Sequence, residues 1–209
     1  FVFGIGPDAL RDPARWAALL AVEPAALTVV GNDLAHSLPV ASPTDPLTVI
    51  VGLEDDAARV DQQATELARR LGEPDARLEE EAVADLWQSL ADLEDGDGTR
   101  ARLTFTGGGK PAAALAPLLD GLAPAAWLLH VPAGRLHVFA GAAEAPELTA
   151  RLSAHGLTLL EAIGIAPPAP LVPPPAAVLD LRARIRAALD PAGTLAGGPL
   201  WQQDAGNGG

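Results

Sequence analysis

Arg100, Arg102, Thr104 and Thr106 fall at every second position of the stretch TRARLTFT. In an extended chain successive side chains point to opposite faces, so these four share one face, with Ala101, Leu103 and Phe105 on the other. A second stretch, AAWLLHVPAGRLHVFA, holds two apolar runs around Pro132-Ala133. A turn closed there pairs His130 with Arg135 and Leu128 with His137, and points all four the same way. If that hairpin lies beside the first strand, two or three Arg and two His share one face. An Arg fork binds both oxygens of a carboxylate, and an imidazole titrates near neutrality. The chemistry open to such a face is recognition of a small anion beside a proton-transfer group. An ordinary solvated outer face would carry the same residue types.

Other motifs carry less. Four His are scattered, and His130 and His137 have no third ligand spaced near them, so no metal site is expected. TGGGKP lacks the spacing and the Ser or Thr of a P-loop; Pro111 follows Lys110, which suits a strand-to-helix turn. DLEDGDG lacks the twelfth ligand of a Ca²⁺ loop. No Gly-x-Ser-x-Gly elbow supports Ser37, Ser42, Ser89 or Ser153.

The elements that must position the face follow from periodicity. FVFGI, ALTVVG and PLTVIVGLE are apolar or β-branched runs and read as strands. Asp12 and Pro13 open a helix that ends by Pro24. Ala57, Val60, Ala64, Leu67 and Leu71 form one stripe of a second helix, stopped by Gly72. ARLEE reads as a short strand, AVADLWQSLADL as a helix and LEDGDGT as a loop. The pattern then restarts with strand 99–106, helix 110–122, the hairpin, helix 145–156 and strand 157–164. PPAPLVPPP, residues 167–175, is an extended connector. Val178, Leu181, Ile185 and Leu189 lie on one side of a last helix from 176. The fold class is α+β: an antiparallel sheet covered by helices on one face, with two ferredoxin-like halves joined near residues 93–99.

The net charge of −13 argues against a nucleic-acid surface, and no apolar run is long enough to span a membrane. The absence of Cys excludes disulfides and thiol catalysis and fits a cytoplasmic protein. The chain lacks Met and opens on Phe1, as a piece of a longer polypeptide would.

RARIRAALDPAGTLAGG resembles the C-terminal signature of FAD-linked oxidases of the vanillyl-alcohol-oxidase type. There a final helix runs into Phe/Leu-Asp-Pro-x-Gly and then a Leu/Phe-Asn-Pro-Gly bend near the flavin. TRARLTFTGGGKPAAALAPLLDGL is similar to the segment reading Trp-Arg-Leu-Ser-x-Pro-Pro in the E-type subunit of glycolate oxidase, with Arg102 and Thr104 at the Arg and Ser. The long helix after PLTVIVGLE, EEEAVADLWQSL and the hairpin match that family in position. The family's Asn-Pro-Gly is here Ala196-Gly197-Gly198, and its hairpin Asp-Trp-Gly-Gly is here His130-Val131-Pro132-Ala133.

The resemblance implies that residues 1–209 are the cap, or substrate, domain of an FAD-dependent oxidoreductase acting on a 2-hydroxy acid such as glycolate. Residues 176–201 would be its final helix and tail. Arg102, Arg135 and Thr104 would hold the substrate carboxylate, His130 or His137 would take the hydroxyl proton, and Gly197 and Gly198 would approach the cofactor. FAD itself would be held by an N-terminal domain of the same polypeptide, outside this chain, so the chain alone would be inactive. Partner subunits of a glycolate-oxidase-like complex are implied as well. The alternative is a non-catalytic module that docks subunits or binds small anions.

Overall fold

A computed structural model describes residues 1–40, 47–79, 81–95, 100–107, 112–120, 122, 125–166, 176, 180–181 and 183–185. Two units divide the chain, 1–171 and 172–209. In the second, the described residues are helical, within the span expected for the last helix. The connector 167–175, most of the TGGGKP turn, and the tail with Gly197 and Gly198 lie outside the described residues.

The first unit runs β1 (Val2–Ile5), α1 (Pro7–Leu10), α2 (Pro13–Leu20), β2 (Ala26–Gly31), α3 (Asn32–Ala35), β3 (Leu47–Gly52) and α4 (Ala57–Leu71). It continues through α5 (Glu81–Asp95), β4 (Ala101–Thr106), α6 (Ala112–Asp120), β5 (Ala126–His130), β6 (Arg135–Ala140), α7 (Ala145–Ala154) and β7 (Thr158–Ile163). Local chemistry sets several ends. Asp12 accepts from the Ala14 N–H at 2.9 Å, with Pro13 opening α2. Asp56 caps α4 through the Arg59 N–H at 3.0 Å, and Gly72, at φ 93°, ends it.

All strand pairs are antiparallel, in one sheet ordered β1-β3-β2-β5-β6-β4-β7. The sequence β4-α6-β5-β6-α7-β7 is a βαββαβ unit in which β4 and β6 are central, as expected of a ferredoxin-like half. The first half repeats this order from β1 to α4, but its fourth strand shrinks to one bridge, Ala76 to Val2. The short strand expected at 76–80 is therefore only that bridge. The two halves meet through β2 and β5, at Thr28↔His130, Val29↔Leu129 and Val30↔Leu128. The link between halves is also longer than expected, because it includes α5.

One sheet face packs against α1, α2, α4, α6 and α7, burying Leu10, Trp16, Leu67, Leu115 and Leu148 with Phe105 and Val138. Helical cover on one face alone is a misreading of the sequence. Val30, Ile50, Leu128 and Phe139 point from the other face into a second cluster with Leu34 of α3 and Leu86 and Leu90 of α5. The reason is visible in β2 and β3: their apolar residues occupy both faces, and such strands need cover twice. Leu86 and Leu90, one helical turn apart, supply it. The second face is polar only further on, towards β4, β6 and β7.

A bulge shapes that remaining area. Phe105 pairs with Leu159 but Thr104 pairs with Glu161, so Leu160 is the extra residue. If β7 ran on without the bulge, Leu160 would face Thr104 and Glu161 would line up with Leu103, which is fully buried. Deleting Leu160 closes the bulge with Glu161 still opposite Thr104, so the carboxylate is expected to stay on its face beside Arg102 and the cost to be about 1 kcal/mol or less. Urea unfolding measures this; a loss of about 3–5 kcal/mol, the usual penalty of an uncompensated buried charge, would contradict the role given to the bulge.

Candidate functional site

The hairpin closes where the sequence puts it. Val131 accepts from the Gly134 N–H at 3.2 Å, with Pro132 and Ala133 at the centre of the turn. Gly134 has φ 58°, a conformation that glycine takes at no steric cost. His130 pairs with Arg135 and Leu128 with His137. On the other side of β6, Thr104 pairs with His137 and Thr106 with Arg135. Strand alternation then gathers Arg102, Thr104, Thr106, His130, Arg135 and His137 on the second face.

Within this strip the polar groups engage one another. Thr104 Oγ1 lies 3.1 Å from His137 Nδ1, and Thr28 Oγ1 lies 3.0 Å from His130 Nδ1. The two imidazoles meet edge to face, with ring centres 5.5 Å apart. Arg102 Nη2 donates to Glu161 Oε2 at 3.0 Å. Thr28, Thr104 and His137 are buried and His130 is half-buried. A band of hydrogen-bonding side chains thus crosses the sheet from Glu161 on β7 to Thr28 on β2.

The two Arg residues are not brought together. Arg135 stands opposite Thr106, four residues along β4 from Arg102, roughly 13 Å at the usual rise per strand residue. Arg102 is nearly enclosed and ion-paired to Glu161. Arg135 is exposed and forms no ion pair among the described residues. Arg135 and His130 are therefore near neighbours, with His137 next to His130.

Glu161 and Thr28 are the site residues that strand patterning missed. Glu161 is the one charged residue of its strand, but the bulge hides its side from a strict two-residue period. Thr28 is the one polar side chain in ALTVVG, a signal overlooked because Thr is also a good strand former. His36 and His155 lie on the surface apart from the pair. Among the described residues no group of three or more His, Asp or Glu is placed to hold a metal ion. No described helix is long and apolar enough to cross a membrane.

Two cavities lie elsewhere. One of 110 Å³ beside β1 is lined by Phe3, Trp16, Leu19, Arg15, Glu73 and Asp75. Another of 360 Å³ lies between α5 and β3, with Ile50, Leu86 and Trp87 inside and Arg77, Glu54 and Glu79 at its wall. Each sets two carboxylates against one Arg, which opposes the pyrophosphate of a dinucleotide. Neither cavity therefore suits the pyrophosphate of FAD. Nor does the most perturbed carboxyl mark a site. Glu66 is held down to about 2 by hydrogen bonds from Arg69 and Arg70, on the exposed side of α4; such pairs stabilise the helix itself.

The sequence matches no family model and no curated protein.

The Arg102–Glu161 pair is enclosed enough to be worth more than a surface ion pair. A double-mutant cycle of R102A and E161A in urea should show a coupling of about 1–2 kcal/mol. A coupling near zero would mean that solvent already screens the pair.

Proposed function

We propose that this chain is the substrate side of an FAD-dependent oxidoreductase acting on a small 2-hydroxy acid, with the flavin held by another part of the protein. The observation that carries this reading is the asymmetry of the sheet. Two halves of like topology share one face, yet apart from Thr28 and Thr48 that face is apolar in the first half, while in the second it holds two His, two Arg and Glu161. A fold needs no such cluster for stability, because burying polar groups costs free energy unless each finds a partner. In this reading Arg135 binds the substrate carboxylate, and the neighbouring His130 exchanges the hydroxyl proton, with His137 packed against it. Arg102, already paired, shapes the far end of the strip and does not clasp the same carboxylate. FAD would supply the hydride acceptor.

The docking alternative rests on a different observation. Leu160 and Ile163 on β7 are 42% and 40% exposed, on the last strand of the sheet. Apolar side chains on such a strand suit a partner surface.

The test is R135A in the protein carrying its flavin domain. The carboxylate role predicts a KM for glycolate raised roughly tenfold or more with kcat little changed, the loss of one charge-assisted contact. An unchanged KM, with association of partner subunits abolished by L160D, would favour docking.

A further inference from the structure

The cover that α5 gives to the second face is complete at one end only. Leu86 and Leu90 are buried over Ile50 and Val30, but Val83 and Trp87 on the same side of the helix are half-buried. At that end β2 and β3 carry Ala26 and Gly52 opposite each other, where the next pair on the same face is Thr28 and Ile50. A Cβ on Gly52 would lie 3.1 Å from the Trp87 ring and 3.2 Å from the Ala26 Cβ, so glycine makes room for the indole. The 360 Å³ cavity between α5 and β3 opens here. Close-packed interiors leave few such volumes, and small-molecule sites span about 300–1,000 Å³.

The charges at its wall are unequal. Arg77 Nε donates to Glu79 Oε1 at 2.8 Å, its Nη2 lies 3.5 Å from Asp61 Oδ1, and its guanidinium stands 5.5 Å from the centre of the Phe1 ring. Arg77 is thus already matched. Glu54, at the same wall, has no hydrogen bond or ion pair among the described residues. An entering anion would meet a net negative wall. A cation would find the open carboxylate beside an indole, the aromatic ring that attracts cations best.

We propose that this cavity binds a small organic amine, its apolar body against Trp87, Ile50 and Leu86 and its single ammonium at Glu54. The site is separate from the polar strip, whose ligand carries the opposite charge.

The experiment adds 2-phenylethylamine to the full chain and follows the indole N–H of Trp87 by ¹H–¹⁵N NMR. The expected result is a saturable shift at Trp87, with Ile50 and Leu86 moving over the same concentrations. E54Q weakens binding about fivefold, the worth of an ion pair at a solvated rim, and E54K weakens it further. 2-Phenylethanol, the same body without the charge, binds the unsubstituted chain more weakly by a similar factor and does not distinguish it from E54Q. No shift at Trp87, or shifts confined to the strip, overturns the proposal. Equal affinity for the amine and the alcohol, or an amine affinity unchanged in E54Q, overturns it as well, since the cavity would then take apolar molecules without regard to charge.

Discussion

The antiparallel pairing of β2 with β5 is the constraint on which the arrangement depends. Three residue pairs, Thr28 with His130, Val29 with Leu129 and Val30 with Leu128, join two βαββαβ halves into one seven-stranded sheet. Because side chains alternate strictly, the register at this seam decides the face of every residue on β5, and through the hairpin on β6 and β4. A slip by one residue would turn His130 and His137 into the helix-covered core and bring Leu129 and Leu136 out. The buried Val and Leu of the seam thus hold the polar strip in place.

The halves then diverge for a reason of cover. In the first half α5 lies over the second face, and Leu86 and Leu90 seal Ile50 and Val30 beneath it. In the second half that face carries Thr, His, Arg and Glu. The apolar half supplies a rigid base. The polar half spends burial on hydrogen bonds, with His130, His137 and Arg102 matched to Thr28, Thr104 and Glu161, as enclosed polar groups must be. Rigid positioning of a few polar groups on a packed scaffold is what recognition of a small ligand requires.

Much of this was legible in the sequence, and the residues show why. TRARLTFT alternates without interruption, and Pro132-Ala133 fixes a turn, so the pairs His130–Arg135 and Leu128–His137 followed from period and turn alone. The repeat of two halves followed from element order. The cover of α5 did not, because an amphipathic helix states that it has a buried side but not which sheet face receives it. Glu161 was hidden by the bulge at Leu160, since a one-residue insertion reverses the apparent face of all that follows. The pairing of Arg102 with Glu161 was hidden with it, and the two Arg looked like one clasp. The tail that carries the family resemblance lies outside the described residues, so Gly197 and Gly198 rest on the sequence alone.

The central claim is that the second half of the sheet presents a small-carboxylate site centred on Arg135 and His130. Amide and imidazole NMR shifts recorded while glycolate is added to the chain test it most directly. The account predicts saturable shifts centred on His130, Arg135 and Thr106, with Ile50, Leu86 and Trp87 of the α5 cavity unmoved. Shifts confined to that cavity, or shifts at the strip that follow ionic strength alone, would contradict it.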